Sequence, residues 1–301
     1  MTLPDLNLNF FDLHLCLRTD SEPLRTAVAR LYRRFQTGPG HAPQTEMIAL
    51  TGQPRPTLLV NGQSWPVDRT ASLTPQVIMS IYTLIATQVR THLLFHAGAV
   101  SHRGHGLILA GPSGLGKTTL VLELVRRGFK FLSDETAALS RTDRLLHPFP
   151  RGLGCTPVTL TLTGFCETRA SHPRARSGKQ VKDIAEFGPD SLGPAVPVSH
   201  VFLLQRHPEN YSRSRFHQQT AFVPVRAATA VTNLLTQFQG GYNAAIFKED
   251  LEGQAGRLFV ELAAILAQVK YYHLYAGPLS KTVDLLCDIV DYSPHRSGLR
   301  Q

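Results

Sequence analysis

No apolar run in this 301-residue chain is long and uninterrupted enough to cross a bilayer, which argues against a helical membrane protein. The first residues, Met1-Thr2-Leu3-Pro4-Asp5, lack a basic stretch followed by an apolar core, so no secretory signal is expected there. Cysteine is scarce. Cys16, Cys155, Cys166 and Cys287 stand far apart, without the two-residue spacing of a zinc or redox pair. They predict reduced thiols in a cytoplasmic protein, not a disulfide framework or a cysteine metal site. No internal repeat is found. Charged residues make up only 18% of the chain and hydrophobic ones 43%, the balance of an ordinary soluble globular protein. The length suits one large domain, or one domain with a smaller companion.

Acidic residues are outnumbered, 22 against 31 Lys and Arg, and the excess is local. Between Arg141 and Lys182 lie Arg141, Arg144, Arg151, Arg169, Arg174, Arg176, Lys179 and Lys182, opposed only by Asp143 and Glu167. This basic segment suits an anionic partner, or is simply a solvated loop. No aromatic residue interleaves with the basic ones from Arg169 to Lys182. A single-stranded nucleic acid needs such stacking platforms, so a nucleic-acid partner is not expected.

Elements are read from periodicity and breakers. Residues 5–17 alternate apolar and polar and predict a strand. Ser21 caps a predicted helix with apolar residues at Leu24, Val28 and Leu31. Strands are predicted near 46–50, 57–60 and 63–67, and a helix over about 75–91 capped by Thr74. Residues 1–90 thus read as a small α+β unit, residues 91–292 as a larger domain, and 293–301 as a loose polar tail. In the larger domain, strands are predicted over 198–204 and 271–275. Helices are predicted over 227–238 and 256–269, with a last one capped by Ser280.

The chemistry concentrates in one stretch. Gly111-Pro112-Ser113-Gly114-Leu115-Gly116-Lys117-Thr118 follows the apolar strand Leu107–Ala110 and precedes a helix closed by Gly128. Glycines in such a loop turn backbone N–H groups toward phosphate oxygens, and the helix N-terminus adds positive potential. Lys117 would reach the β- and γ-phosphates, and the Thr118 hydroxyl would bind Mg2+. Thr119, next in the helix, is a further candidate nucleotide-binding residue. No Asn-Lys-x-Asp base-reading motif occurs, which disfavours a GTPase switch. No Leu-Ser-Gly-Gly-Gln signature occurs, which disfavours a transporter-type ATPase.

Two flanking features sharpen this. His96 stands 15 residues before Gly111. If His102-Arg103-Gly104-His105 is a two-residue hairpin, paired positions sum to 207, and His96 faces the loop's first residue. Asp134-Glu135 end a short strand only 17 residues after Lys117. One carboxylate there can hold Mg2+ and the other can take a proton from an attacking hydroxyl.

With these residues in place, the stretch from Leu93 to Leu139 resembles the catalytic core of HPr kinase/phosphorylase and its related kinases. The likeness covers about residues 91–150. It implies an α/β fold, a P-loop kinase core of the HPr kinase/phosphoenolpyruvate carboxykinase type, with a small N-terminal α+β unit. It implies ATP and Mg2+ as cofactors and a peptide or protein hydroxyl as substrate. Carried over by position, Asp134 is the proton acceptor, His96 supports it or contacts phosphate, and Thr118 and Glu135 bind the metal. The family's second acid is usually Asp; here Glu135 is one methylene longer. The family's later phosphorylase-linked loop has no match, so reverse phosphorolysis is not expected. Residues 1–90 resemble instead the leader region of HPr-kinase-related proteins beside peptide natural-product clusters, including lasso-peptide kinases. That implies a ribosomal precursor peptide as acceptor, and the family's symmetric assemblies imply a homo-oligomer. Arg151 is a candidate phosphate clamp. Two other classes fit the same loop: a nucleotide-binding regulatory protein and a small-molecule kinase.

Overall fold

The computed structural model describes residues 3–38, 43–52, 55–68, 70–165, 180–206, 219–239 and 251–291. The predicted tail 293–301 lies outside them.

The alternation over 5–17 is a hairpin, not one strand: β1 (Leu6–Phe10) turns at Phe11-Asp12 into β2 (Leu13–Thr19), and Phe10 pairs with Leu13. Neither turn residue is a glycine, and Phe11 takes φ 60°. The apolar alternation runs on through both arms, so the pattern alone hides the bend. Helix α1 (Glu22–Leu31) begins as expected, with Ser21 accepting from the Leu24 N–H and Leu24, Val28 and Leu31 buried. Strands β3 (Thr45–Leu50), β4 (Thr57–Val60) and β5 (Gln63–Ser64) complete a five-stranded sheet in sequence order. Helix α2 (Leu73–Gln88) starts after Ser72, so Thr74 lies inside its first turn and is not the cap. Starting earlier lets Leu73 reach the core, where it is buried.

The second sheet carries the glycine loop. Its elements are β6 (His92–His102), β7 (His105–Ala110), α3 (Lys117–Arg126), β8 (Lys130–Ser133), β9 (Thr136–Ser140) and β10 (Leu145–His147). Then come a small ribbon of β11 (Leu153–Cys155) and β12 (Gln180–Lys182), with helix α4 (Pro157–Leu162) between them. After these come β13 (Val196–Gln205), β14 (Ala221–Pro224), α5 (Ala227–Leu235), α6 (Leu251–Ile265), β15 (Lys270–Tyr275) and α7 (Leu279–Asp291). The last helix opens at Leu279, so Ser280 is its second residue and not its cap. The sheet order is β10-β9-β6-β7-β13-β15-β14, with β8 also on β6 and β10 also on β13.

At the centre, β7, β13 and β15 run parallel, while β6 and β14 flank them antiparallel. Parallel strands need cover on both faces. Ile108, Ala110, Val201 and Leu203 face one core with Val231 and Leu234 of α5, Leu262 of α6 and Leu266 just past it. Leu107, Leu109, Phe202 and Leu204 face the other, with Leu120, Val121 and Leu124 of α3 and Val283 and Leu286 of α7. The result is a mixed α/β molecule with seven α-helices among the described residues. A third core holds the N-terminal sheet with α1 and α2 and also takes in Leu94, Ala138 and Phe149, so apolar packing runs on across residue 90.

At this junction His92 stacks on Phe11, with centroids 3.6 Å apart, and lies edge-on to His147. Its Nδ1 is 2.9 Å from the Thr91 hydroxyl, which donates to Asp12. His147 Nε2 in turn lies 2.8 Å from the Asp143 carboxylate. Burial, then the neighbouring His147, pushes the His92 pKa down to about 4 from an ordinary 6.5. The unfolded chain therefore takes up the proton first as pH falls, so stability drops between about 6.5 and 4. His92→Gln is expected to flatten that drop in the urea midpoint. An unchanged slope would mean that His92 is not a source of it.

Candidate active site

The hairpin at residues 102–105 forms with the expected register. Arg103 (φ 49°) and Gly104 (φ 80°) make its turn, and the pairs run from His102 with His105 to Ala97 with Ala110. The ladder stops one pair short of His96 and Gly111. His96 then meets the loop through its side chain: Nε2 lies 3.4 Å from Ser113 Oγ and 3.3 Å from Lys117 Nζ. On its other side β6 pairs with β9, His96 opposite Thr136.

The loop from Gly111 to Gly116 joins β7 to α3. Gly111 packs against β13 so closely that a Cβ would lie 2.9 Å from both Leu204 Cβ and the Leu204 carbonyl oxygen. Pro112, Ser113 and Gly114 are exposed, and Leu115 is half-buried against the α3 core. Gly116, in the left-handed region, caps α3. Lys117 is buried, and its Nζ donates to the carbonyls of Gly111 (2.6 Å) and Pro112 (3.2 Å). Burial lowers the Lys117 pKa, while Asp134 opposes that shift. With the ammonium donating to Nε2, the ring proton of His96 is assigned to Nδ1. Burial first, then Lys117 and Arg151, hold the His96 pKa down to about 4, so the ring is neutral at pH 7.

The acid pair turns between β8 and β9, where Ser133 Oγ accepts from the Thr136 N–H at 2.9 Å. Asp134 is buried, and Thr118 donates to its Oδ2 at 3.3 Å. Glu135 points elsewhere, into an ion pair with Arg151. The structure thus brings His96, Ser113 and Lys117 together, and Thr118 with Asp134. Arg151 stands on Glu135 and not on the loop. Thr119 faces α4, with its hydroxyl 3.2 Å from that of Thr159.

Several residues here were not foreseen. The Gln237 carbonyl accepts from the His96 N–H at 2.7 Å. The fully buried Gln239 amide donates to Thr136 Oγ1 at 3.1 Å. Both lie just past α5, more than 100 residues along the chain from their partners, and no local pattern marks them. Cys155 on β11 is buried, and burial followed by Asp134 pushes its thiol up to about 12. Of the basic segment, Arg169, Arg174, Arg176 and Lys179 lie outside the described residues, as does Cys166. Arg141 pairs with Glu261 and Lys182 with Glu186. Among the described residues no group of three His, Cys, Asp or Glu is placed to hold a metal, and no helix is long and apolar enough to cross a membrane.

No protein-family model matches the chain. It is similar to the HPr kinase/phosphorylase of Clostridium novyi (strain NT), 28% identical over 103 residues, 33% of either chain. It is 30% identical to that of Nitrosomonas europaea over 82 residues, 27% of this chain and 25% of the other. It is 28% identical to that of Caldicellulosiruptor bescii over 213 residues, 64% of each. The match thus spans about a quarter to a third of the length of the first two relatives and under two thirds of the third. The solved HPr(Ser) kinase/phosphatase of Coxiella burnetii overlays at a TM-score of 0.31 and 14% identity, covering 66% of this chain and 97% of that one. Over part of its length, then, the chain has homologues named HPr kinase/phosphorylase.

Proposed function

We propose that this chain is an ATP- and Mg2+-dependent kinase that moves the γ-phosphate to a hydroxyl of a peptide or protein, a serine by preference. The carrying observation is the convergence at one loop of a buried lysine, a neutral histidine and a hydroxyl–carboxylate pair. A ribosomal natural-product precursor peptide as acceptor, cytoplasmic location and homo-oligomeric assembly belong to the same reading and rest on the resemblance. Residues 1–90 are the unit we assign to acceptor recognition and 91–292 the catalytic domain.

The loop N–H groups, the α3 N-terminus and Lys117 bind the triphosphate, Lys117 exchanging its loop carbonyls for phosphate oxygens. His96 Nε2 orients the ammonium. The Thr118 hydroxyl and the two carboxylates offer oxygens, the set a hard cation takes. Thr118 and, released from Arg151, Glu135 would hold Mg2+, which would offset the charge of the phosphates. The acceptor oxygen attacks the γ-phosphorus in line. Its new O–P bond forms as the bond to the β–γ bridging oxygen breaks, ADP leaves with that electron pair, and the hydroxyl proton passes to the Asp134 carboxylate.

Calorimetric titration tests the first half of this. One ATP should bind per chain, more tightly with Mg2+ than with a chelator, and Lys117→Ala should weaken it about tenfold to a hundredfold, the value of a charge-assisted contact. A wild-type chain that binds no ATP would sink the proposal.

A further inference from the structure

Arg151 is held in part by the N-terminal unit. Two residues before it, Phe149 is buried among rings of the N-terminal unit, its centroid 4.7 Å from Phe35, 5.9 Å from Phe11 and 6.2 Å from Phe10. The Phe149 N–H donates to the Leu132 carbonyl on β8 at 2.8 Å, and the Arg151 N–H donates to the Phe149 carbonyl at 2.9 Å. One residue after Arg151, the Gly152 N–H donates at 2.7 Å to the carbonyl of Leu31, the last residue of α1. A Cβ at Gly152 would lie 3.3 Å from Leu31 backbone atoms and 2.6 Å from Val181 Cγ1, so only glycine permits this approach. Tyr32, fully buried, sits close enough to feel the Arg151 charge. Between these anchors the guanidinium, mostly buried, meets Glu135, while its Nε has no hydrogen-bond partner.

We propose that Phe149 is a positioning residue: seated in the aromatic cluster of the N-terminal unit, it sets Arg151 against Glu135, and so makes that unit part of the phosphotransfer site. The inference rests on the kinase reading above. A partly buried ion pair is useful only where its geometry is fixed, and here, besides the Leu132 carbonyl on β8, the fixing points belong to residues 10–35. Whatever displaces the cluster moves the partner of a proposed metal carboxylate. Phe149 itself touches no reacting group.

The test is a double-mutant cycle on Mg2+-dependent ATP binding, read by calorimetry as the Mg2+ concentration at half-saturation, with Tm measured alongside. The variants are Phe149→Leu, which keeps the site apolar but removes the ring, Arg151→Gln, and the pair. Phe149→Leu and Arg151→Gln should each shift the half-saturation at least about threefold in the same direction, and the double variant no further than Arg151→Gln alone, since contacting residues couple. Additive effects would overturn the inference. So would a Phe149→Leu variant whose Tm falls while its Mg2+ response stays as in wild type. If wild type binds no ATP, the kinase reading and the inference fall together. If ATP binds and the cycle is non-additive but no phosphate is ever transferred, only the kinase reading falls.

Discussion

Asp134→Asn is expected to lower phosphate transfer by about two to four orders of magnitude, the range for removing a positioned general base. ATP binding should change little, within about threefold on the same argument. Asparagine has the shape of aspartate and can still accept the Thr118 hydroxyl hydrogen bond now made to Oδ2. What it cannot do is take a proton. The measurement is single-turnover transfer at saturating ATP, with binding followed separately. If rate and affinity fell together, Asp134 would be holding the nucleotide site in shape. If neither moved, the proton would go elsewhere.

Gly111→Ala should damage both fold and nucleotide site. Its Cβ would meet Leu204 Cβ and the Leu204 backbone oxygen at 2.9 Å, and a strand backbone cannot step aside as a flexible side-chain end can. Overpacking of this kind costs about 1–3 kcal/mol. The φ of 153° at the position, which residues with a Cβ rarely adopt, adds to it. Gly114→Ala is the control: its φ is also positive, but nothing lies within 4 Å of the added atom. Urea unfolding should therefore rank wild type above Gly114→Ala and Gly114→Ala above Gly111→Ala, with ATP affinity lost most in the last. Equal losses in the two variants would show that the Leu204 contact yields.

Much of the loop's surroundings is legible in the sequence because local rules generate it. A two-residue turn between apolar strands fixes the register of β6 and β7, and that register carries His96 to the loop through seventeen residues to Ser113. The strand–glycine–helix order does the same for Lys117. Where local signals are redundant or silent, the reading slips. Ser72 and Thr74 both look like caps, and burial of Leu73 chooses between them. Phe11-Asp12 turns the chain with no glycine, because Asp12 gains the Thr91 hydroxyl and the Arg90 N–H in exchange. Long-range closure is the least visible. Arg151 looks like a free phosphate clamp until Glu135 is seen beside it, and two of its anchors lie more than a hundred residues away on α1 and β1. Gln237 and Gln239 come to the site only because α5 packs under β13. Neither has a motif to announce it.

The most direct test of the kinase reading is transfer from ATP labelled at the γ-phosphate, with Mg2+, to serine-containing peptides, to free serine and to sugars, with the Asp134→Asn chain as the paired control. The expected result is label on a peptide or protein hydroxyl with wild type and none above background with the variant. Label on free serine or a sugar as readily as on peptide would replace the acceptor class with a small molecule. ATP binding with no label on any hydroxyl would contradict the account and leave a nucleotide-binding regulatory protein in its place.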